Sequence, residues 1–254
     1  MPLDPFRLDG SVALVTGSSA GLGAAIAVAL ADAGADVAVH GHSRSPAEIE
    51  ARVRGAGRRG VAFTGDLGDR AVSGRLVDEV VAALGRIDIL VNNAGIIRRT
   101  PAVDFTDEDW DRVIEVDMTS AFRLARAAAR HMIGAGRGGR IINIASLLSF
   151  QGGVTVPAYA AAKGGLAQLT KALANEWAAK GINVNAIAPG YMETDNTSAL
   201  RADATRNTQI LERIPAGRWG RPDDVAGAAV FLASSASAYV HGHVLVVDGG
   251  WMGR

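Results

Sequence analysis

The chain lacks cysteine and any excess of charge, and both absences narrow what it can be. None of its 254 residues is a cysteine, which excludes disulfides, a thiol nucleophile and thiolate metal sites. Its 26 basic and 26 acidic residues balance, so charge gives no reason to expect a nucleic acid or a membrane surface as partner. Residues 1–5 lack the character of a signal peptide, and no uncharged apolar run could cross a membrane. We therefore expect a soluble, cytoplasmic protein.

The hydrophobic pattern predicts one α/β domain over residues 1–254. Short apolar runs, several of them continuous as in strands covered on both faces, alternate with longer helical segments. The predicted strands span residues 12–15, 37–39, 61–63, 87–91, 141–144, 182–187 and 244–247, and helical segments span 69–84, 107–133, 158–179 and 222–232. This alternation is typical of right-handed βαβ units. We predict a single doubly wound (Rossmann) domain, with a parallel seven-stranded sheet and helices on both faces.

A glycine-rich turn, Thr-Gly-Ser-Ser-Ala-Gly-Leu-Gly at residues 16–23, joins the first strand to an Ala-rich helix. A helix N-terminus carries unpaired N–H groups and attracts phosphate. Gly17 would permit the sharp bend, Gly21 the close approach of a pyrophosphate, and Gly23 close helix–sheet packing. The G-x-x-x-G-x-G spacing alone fits an ordinary βα turn equally well. The flanking strand and helix favour a dinucleotide site.

Tyr159 and Lys163 lie four residues apart, so a helix would put the phenol and the ammonium on one face. A free tyrosine titrates near pH ~10, and a nearby cation favours the phenolate. Alone, this spacing is more often a solvated helix face. Ser146 adds a hydroxyl at the carboxyl end of a predicted strand, where open parallel sheets bind ligands. Such a hydroxyl could hold a substrate oxygen while the tyrosine gives or takes the proton.

Two further motifs follow predicted strands: Asn-Asn-Ala-Gly at residues 92–95, and Pro-Gly at residues 189–190. A further motif, Val-Asp-Gly-Gly, stands at residues 247–250. Together with the glycine turn, the serine and the Y-x-x-x-K pair, these motifs have the order and spacing of the short-chain dehydrogenase/reductase family. The chain resembles that family over essentially its whole length. The resemblance implies an oxidoreductase that interconverts a secondary alcohol and a ketone with a nicotinamide cofactor.

The resemblance also implies roles for single residues. Tyr159 would be the general acid/base, Lys163 would favour its ionised form and bind the nicotinamide ribose, and Ser146 would position the reacting oxygen. Asp66 would lie at the adenine. Besides Tyr159 and Lys163, the implied cofactor-binding residues are Gly17, Ser19, Gly21, Leu22, Gly23, His42, Asp66, Leu67, Asn93, Gly95, Pro189, Gly190 and Met192.

Asp117 departs from the family pattern. The family usually has an asparagine here, which helps to hold a water that links the lysine to solvent. An ionised aspartate cannot donate the amide hydrogen bonds, and it could stabilise the Lys163 ammonium and partly cancel its effect on Tyr159. We still count Asp117 among the catalytic residues, because a carboxylate accepts a hydrogen bond from a bridging water. The alternative interpretation is an impaired enzyme that binds nucleotide without turnover.

Residues 94–99, 148–153 and 214–220 are most similar to stretches of sugar-acid dehydrogenases within the family. They imply a 3-deoxy-2-keto sugar acid as substrate, with gluconate or a 3-oxoacyl thioester as alternatives, and a nucleotide-binding sensor without turnover as the alternative from another class. Arginine matches a carboxylate with two parallel hydrogen bonds. The polar residues 190–222 are interpreted as an active-site lid, or otherwise a surface helical hairpin. The candidate substrate-binding residues are Arg98, Ser146, Gln151 and Arg201.

Some features of the sequence favour NAD as the cofactor and others favour NADP. NAD enzymes usually carry an acid after the second strand, but residues 40–44 contain none, and His42 or Arg44 could meet the 2′-phosphate of NADP. Against this, Ala20 stands where NADP-dependent members often have a basic residue, and the most similar sugar-acid enzymes mainly use NAD. We expect NAD, with NADP as the alternative.

The other expected partners are a small-molecule substrate and, by resemblance, further copies of the chain in a homotetramer. Trp251 would then pack against a neighbouring subunit or, as the alternative, in the core of its own chain. No metal is expected, since the 5 histidines have no partner carboxylates at ligand spacing.

Overall fold

The computed structural model describes residues 4–254, and a parallel sheet of seven strands runs through this part of the chain. The strands are β1 (Val12–Val15), β2 (Asp36–Gly41), β3 (Gly60–Thr64), β4 (Ile89–Asn92), β5 (Gly139–Ile144), β6 (Ile182–Pro189) and β7 (Val244–Val247). Their order is β3-β2-β1-β4-β5-β6-β7, and every neighbouring pair is parallel. The predicted doubly wound α/β fold is confirmed.

Helices cover both faces of this sheet. They are α1 (Gly21–Asp32), α2 (Ala47–Gly55), α3 (Arg70–Leu84), α4 (Asp107–Ile114), α5 (Ser120–Gly134), α6 (Pro157–Trp177), α7 (Ser198–Ala202), α8 (Ala204–Arg213) and α9 (Pro222–Ala233). Among residues 4–254, no helix has both the length and the apolar character that crossing a bilayer would require.

Strand β1 shows how the two faces are filled. Successive side chains of a strand point to opposite faces, so Leu14 packs with Leu76 of α3 and Leu124 of α5. Val15 points the other way and packs with Leu30 of α1. All five side chains are buried, and each contributes about 1.5–3 kcal/mol by leaving water. The resulting sandwich fixes the carboxyl edge of the sheet, where the candidate site lies.

The helix predicted over residues 107–133 is interrupted. Between α4 and α5 the chain forms a π-helical turn, Glu115–Thr119, a feature that is frequent at functional sites. Periodicity alone does not show such a turn, because the apolar spacing stays helical on both sides of it. The turn carries Asp117 inward, toward α6.

Candidate active site

A cleft opens at the carboxyl edge of the sheet between β1 and β4, where the strand order reverses. Open α/β sheets bind ligands at such a switch point. The cavity measures about 610 Å³, which is within the range of small-molecule sites. Residues that follow β1 to β6 line it, as does the start of α6.

The turn after β1 brings backbone close to the cleft. Gly17 and Gly21 have φ angles of +62° and +57°, in the left-handed region that favours glycine. A Cβ at Gly17 would lie 2.8 Å from the Cα of Ala94, and one at Gly23 would lie 2.4 Å from the carbonyl oxygen of Gly17. Ala20 provides no side-chain cap for α1, so the first N–H groups of this helix can donate to an anion. These features fit a pyrophosphate.

Two side chains fasten the glycine turn to β4. The Thr16 hydroxyl accepts the N–H of Asn93 at 3.0 Å and that of Ala94 at 3.1 Å. In return, Asn93 Nδ2 donates to the carbonyl oxygens of Thr16 at 2.9 Å and Gly17 at 3.0 Å. Asn93, predicted as cofactor-binding, therefore also fixes the path of the turn.

His40, at the end of β2, supports the same turn, a role that the sequence does not predict. The N–H of Gly17 donates to its Nδ1 at 3.4 Å, while Nε2 lies 3.1 Å from the carbonyl oxygen of Gly65. This pairing requires the neutral ring with its proton on Nε2. Burial lowers the pKa of His40 to about 4. The only sequence feature that could have indicated this role is the position of His40, a polar residue at the end of an apolar strand.

The end of β2 has no room for the acid that NAD enzymes usually carry there. A Cβ at Gly41 would lie 2.3 Å from Ser19 Oγ and 2.2 Å from the carbonyl oxygen of Arg44. Those two groups are joined, since Ser19 Oγ donates to that carbonyl at 2.8 Å. His42 and Arg44 are exposed and line the cleft, and Arg44 lies 3.7 Å from the carboxylate of Asp195.

Asp66 is held by a partner that sequence reasoning missed. Arg112 of α4 donates to both carboxylate oxygens at 2.8 Å, and the N–H of Gly68 donates to Oδ1 at 2.9 Å. Burial opposes ionisation of Asp66, but these hydrogen bonds outweigh it and lower the pKa of its carboxyl. Asp66 therefore presents a fixed carboxylate to the cleft. No local signal pairs residues 46 positions apart.

Ser146, Tyr159 and Lys163 all line the cleft. Ser146 follows β5, and its Oγ accepts the N–H of Leu148 at 3.2 Å, so its own hydrogen can be donated elsewhere. Tyr159 is half-buried near the start of α6. Lys163, one turn later, is buried, with its Nζ 5.4 Å from the Tyr159 ring centroid. Nζ donates to the carbonyl oxygen of Ile144 at 2.9 Å, which fixes the ammonium under the phenol.

Asp117 lies behind Lys163, outside the cleft lining, with a fully buried side chain. Its Oδ1 accepts the N–H of Ile96 at 2.8 Å, and its Oδ2 is 3.5 Å from Lys163 Nζ. Burial raises the pKa of Asp117, while the charge of Lys163 and the Ile96 N–H act in the opposite direction. The residue expected to hold a bridging water is thus in direct electrostatic contact with the lysine.

Most of the predicted cofactor residues share this cleft, whereas most predicted substrate residues do not. Arg98 lies 3.2 Å from the carboxylate of Asp109, and Arg201 donates to the carbonyl oxygen of Thr194 at 3.4 Å. Gln151 also lies outside the lining. The predicted residues that line the cleft are Gly17, Ser19, Gly21, Leu22, His42, Asp66, Leu67, Asn93, Gly95, Ser146, Tyr159, Lys163, Pro189, Gly190 and Met192.

Trp251 packs inside its own chain, which is the alternative to a contact with a neighbouring subunit. It is 6% exposed. Its ring centroid lies 4.6 Å from that of Tyr191, and the Arg213 guanidinium of α8 lies 4.1 Å above it. Its Nε1 donates to Gln151 Oε1 at 3.2 Å, so Gln151 is engaged by the C-terminal segment. Among residues 4–254, no three potential metal-ligating His, Asp or Glu side chains come together.

Comparisons with known proteins agree with this architecture. A family model described as Enoyl-(Acyl carrier protein) reductase matches residues 17–252. The chain is 54% identical over 256 residues to 2-dehydro-3-deoxy-D-gluconate 5-dehydrogenase of Escherichia coli (strain K12), with 100% of both chains covered.

Two solved structures have the same fold. A candidate 2-deoxy-D-gluconate 3-dehydrogenase from Agrobacterium tumefaciens with bound NADP is 56% identical, with a TM-score of 0.92 over 99% of this chain and 100% of that chain. A candidate NAD(P)-dependent gluconate 5-dehydrogenase from Beutenbergia cavernae with bound NADP at low occupancy is 48% identical, with a TM-score of 0.94 over the same shares. The chain belongs to the short-chain dehydrogenase/reductase family and is a nicotinamide-dependent oxidoreductase acting on CH–OH groups.

Proposed function

We propose that the enzyme interconverts the C5 hydroxyl and C5 ketone of 2-dehydro-3-deoxy-D-gluconate or a closely related sugar acid. The chemistry rests on one observation: Ser146, Tyr159 and Lys163 share a cleft with a phosphate-binding type of glycine turn. The substrate rests on full-length identity of 54% to an enzyme of that name. Gluconate is the second candidate, supported by the 48% identity to a candidate gluconate 5-dehydrogenase.

In the oxidation direction, the Tyr159 phenolate accepts the proton of the substrate hydroxyl. Ser146 donates its hydroxyl hydrogen to the same substrate oxygen and so fixes its position. Lys163, held by the Ile144 carbonyl at 2.9 Å, stabilises the phenolate charge. When bound, the nicotinamide supplies the hydride acceptor or donor. In reduction, Tyr159 returns the proton to the forming alkoxide.

We propose NADP rather than the NAD expected from the sequence. Gly41 cannot accept a side chain without displacing Ser19 Oγ or the Arg44 carbonyl, which excludes an acid for the ribose 2′-hydroxyl at that position. The exposed His42 and Arg44 beside it would hold a 2′-phosphate. Both solved relatives described above contain NADP.

Residues 190–222 are proposed as a lid over the bound cofactor. Met192 and Gly220 form a bridge at the base of this segment. Thr194 Cγ2 lies 3.5 Å from where a Cβ of Gly21 would be, so the segment reaches across to the glycine turn. The expected homotetramer and the cytoplasmic location stay predictions.

The test is a panel of sugar acids and 3-oxoacyl thioesters, each assayed by nicotinamide absorbance with NAD and with NADP. We expect the highest kcat/KM for 2-dehydro-3-deoxy-D-gluconate with NADP. Tyr159→Phe should lower kcat by about 10²–10⁴-fold, the range for a general acid/base, while the variant still binds NADP in calorimetry.

Each alternative has its own signature in this panel. Preference for gluconate or for an acyl thioester would reassign the substrate. Cofactor binding with no turnover of any alcohol or ketone would favour the sensor. Full activity of Tyr159→Phe would overturn the proposed chemistry.

A further inference from the structure

The Asp117–Lys163 pair is the starting point. Both side chains are almost completely buried, with exposed fractions of 0% for Asp117 and 4% for Lys163. Asp117 Oδ2 lies 3.5 Å from Lys163 Nζ and has no hydrogen-bond partner among residues 4–254. An ammonium one turn from the tyrosine therefore has an acidic group directly behind it.

The local backbone accommodates the carboxyl group. The π-helical turn Glu115–Thr119 carries Asp117 inward, and Oδ1 is fixed by the N–H of Ile96. A Cβ at Gly95 would lie 2.9 Å from Oδ2, so the glycine leaves the space in which this oxygen lies. The carboxylate is held in one position from two sides.

Other charged groups near this pair are already paired or lie toward solvent. On the same helical stretch, Glu115 pairs with Arg123, and Arg112 pairs with Asp66. Lys171 and Glu176 of α6 are exposed. The remaining ionisable residues that line the cleft are His40, His42, Arg44, Glu193 and Asp195. Of these groups, Lys163 is the one that forms an ion pair with the Asp117 carboxylate.

We propose that Asp117 is a positioning residue that acts through Lys163 as an internal counter-charge, and that it raises the pH at which Tyr159 exchanges its proton. Burial raises the pKa of Asp117, but the ammonium at 3.5 Å and the Ile96 N–H favour its ionised form. An ionised carboxylate in this place opposes the field of the ammonium at the phenol. A neutral amide in the same place leaves that field undiminished. The enzyme thus oxidises alcohols at a higher pH than an otherwise identical protein with asparagine. This inference rests on the proposed role of Tyr159.

The direct test measures the protonation of the Tyr159 phenol by NMR and does not depend on the reaction. The chain has 3 tyrosines, so NMR of protein labelled with ¹³C at tyrosine Cζ gives three signals, and Tyr159→Phe identifies the one that disappears. We expect Asp117→Asn to move the titration midpoint of the Tyr159 signal to lower pH by about one unit. The titration is recorded with and without NADP.

The kinetic test uses the same variant. Below its midpoint, kcat/KM for alcohol oxidation depends on the ionised fraction of the phenol, so its pH profile should move to lower pH by the same amount. Glu115→Gln is the matched control, because it removes a carboxylate from the same turn without touching Lys163. It should leave both midpoints in place.

The outcomes separate the two proposals. An unchanged Tyr159 midpoint in Asp117→Asn, or a shift to higher pH, overturns the counter-charge. An equal shift in Glu115→Gln also overturns it, because the effect would then be a general loss of negative charge. If Asp117→Asn does not fold, Asp117→Ser removes the same charge and is judged by the same midpoint. Failure of the proposed function would appear separately, as activity retained by Tyr159→Phe.

Discussion

At the scale of single residues, His40 links the stability of the protein to pH. The residue is 2% exposed, and burial lowers its pKa from the ordinary 6.5 to about 4. Between pH 6.5 and pH 4 the unfolded chain binds a proton that the folded chain does not. The contribution of neutral His40 to the unfolding free energy is therefore complete above pH 6.5 and is lost as the pH falls toward 4. The shift corresponds to about 3 kcal/mol.

We therefore expect His40→Asn to flatten the pH dependence of the unfolding free energy between pH 7 and pH 4.5, measured by urea denaturation. An asparagine Oδ1 can still accept the Gly17 N–H but does not titrate. His42→Asn is the control, since His42 is exposed beside the cleft, and its pH dependence should match that of the unaltered protein. Equal slopes for all three proteins would contradict this account.

At the scale of elements, a chain of buried hydrogen bonds connects β4, β5 and α6. Asn92 Nδ2 donates to Asn143 Oδ1 at 2.9 Å, and Asn143 Nδ2 donates to Thr170 Oγ1 at 2.9 Å. All three residues are buried. This chain fixes the strand ends that carry Asn93 and Ser146 into the cleft, so it positions the site as well as the fold.

Asn143→Leu should lower the unfolding free energy by about 2 kcal/mol, because it leaves the Asn92 amide with one fewer partner. Adding Asn92→Leu should cost less than the sum of the two single substitutions, since two apolar groups then replace the bonded pair. Strictly additive effects in this double-mutant cycle would show that the bond is not a coupling element.

How far the sequence determines these elements depends on the range of the contact involved. Strands such as 182–187 are predictable because a buried parallel strand needs a continuous apolar run, and the glycine turn is predictable because its backbone admits few other residues. The Asp66–Arg112 pair and the Trp251–Gln151 bond join distant positions, and no local pattern encodes them.

The same limit explains the substrate residues. Arg98 and Arg201 stay predictions as substrate ligands; in the structure Arg98 pairs with a carboxylate and Arg201 donates to a carbonyl oxygen of the chain itself. A sequence shows which charges exist, whereas the folded structure shows which of them line the cleft, as Arg44 does and Arg98 and Arg201 do not.

At the scale of the whole molecule, the proposed lid connects the two halves of the cleft. Arg44, after β2, faces Asp195 at 3.7 Å, and Arg99, after β4, donates to the carbonyl oxygen of Asn196 at 3.2 Å. Both arginines are exposed, so each contact is worth little alone. These two contacts therefore hold the tip of the segment, residues 194–197, only weakly to the β2 and β4 sides of the cleft, and a cofactor beneath it would add contacts from the glycine-turn side.

NADP binding should accordingly slow amide hydrogen exchange in residues 193–197 as well as in the glycine turn, because a ligand that binds the folded state lowers the population of locally open forms. Helix α3 packs on the face of the sheet opposite to α1 and contributes no residue to the cleft, so it serves as the internal control. Exchange measured by mass spectrometry with and without NADP would distinguish the alternatives. Protection confined to the glycine turn, with residues 193–197 unchanged, would make segment 190–222 a surface helical hairpin and not a lid.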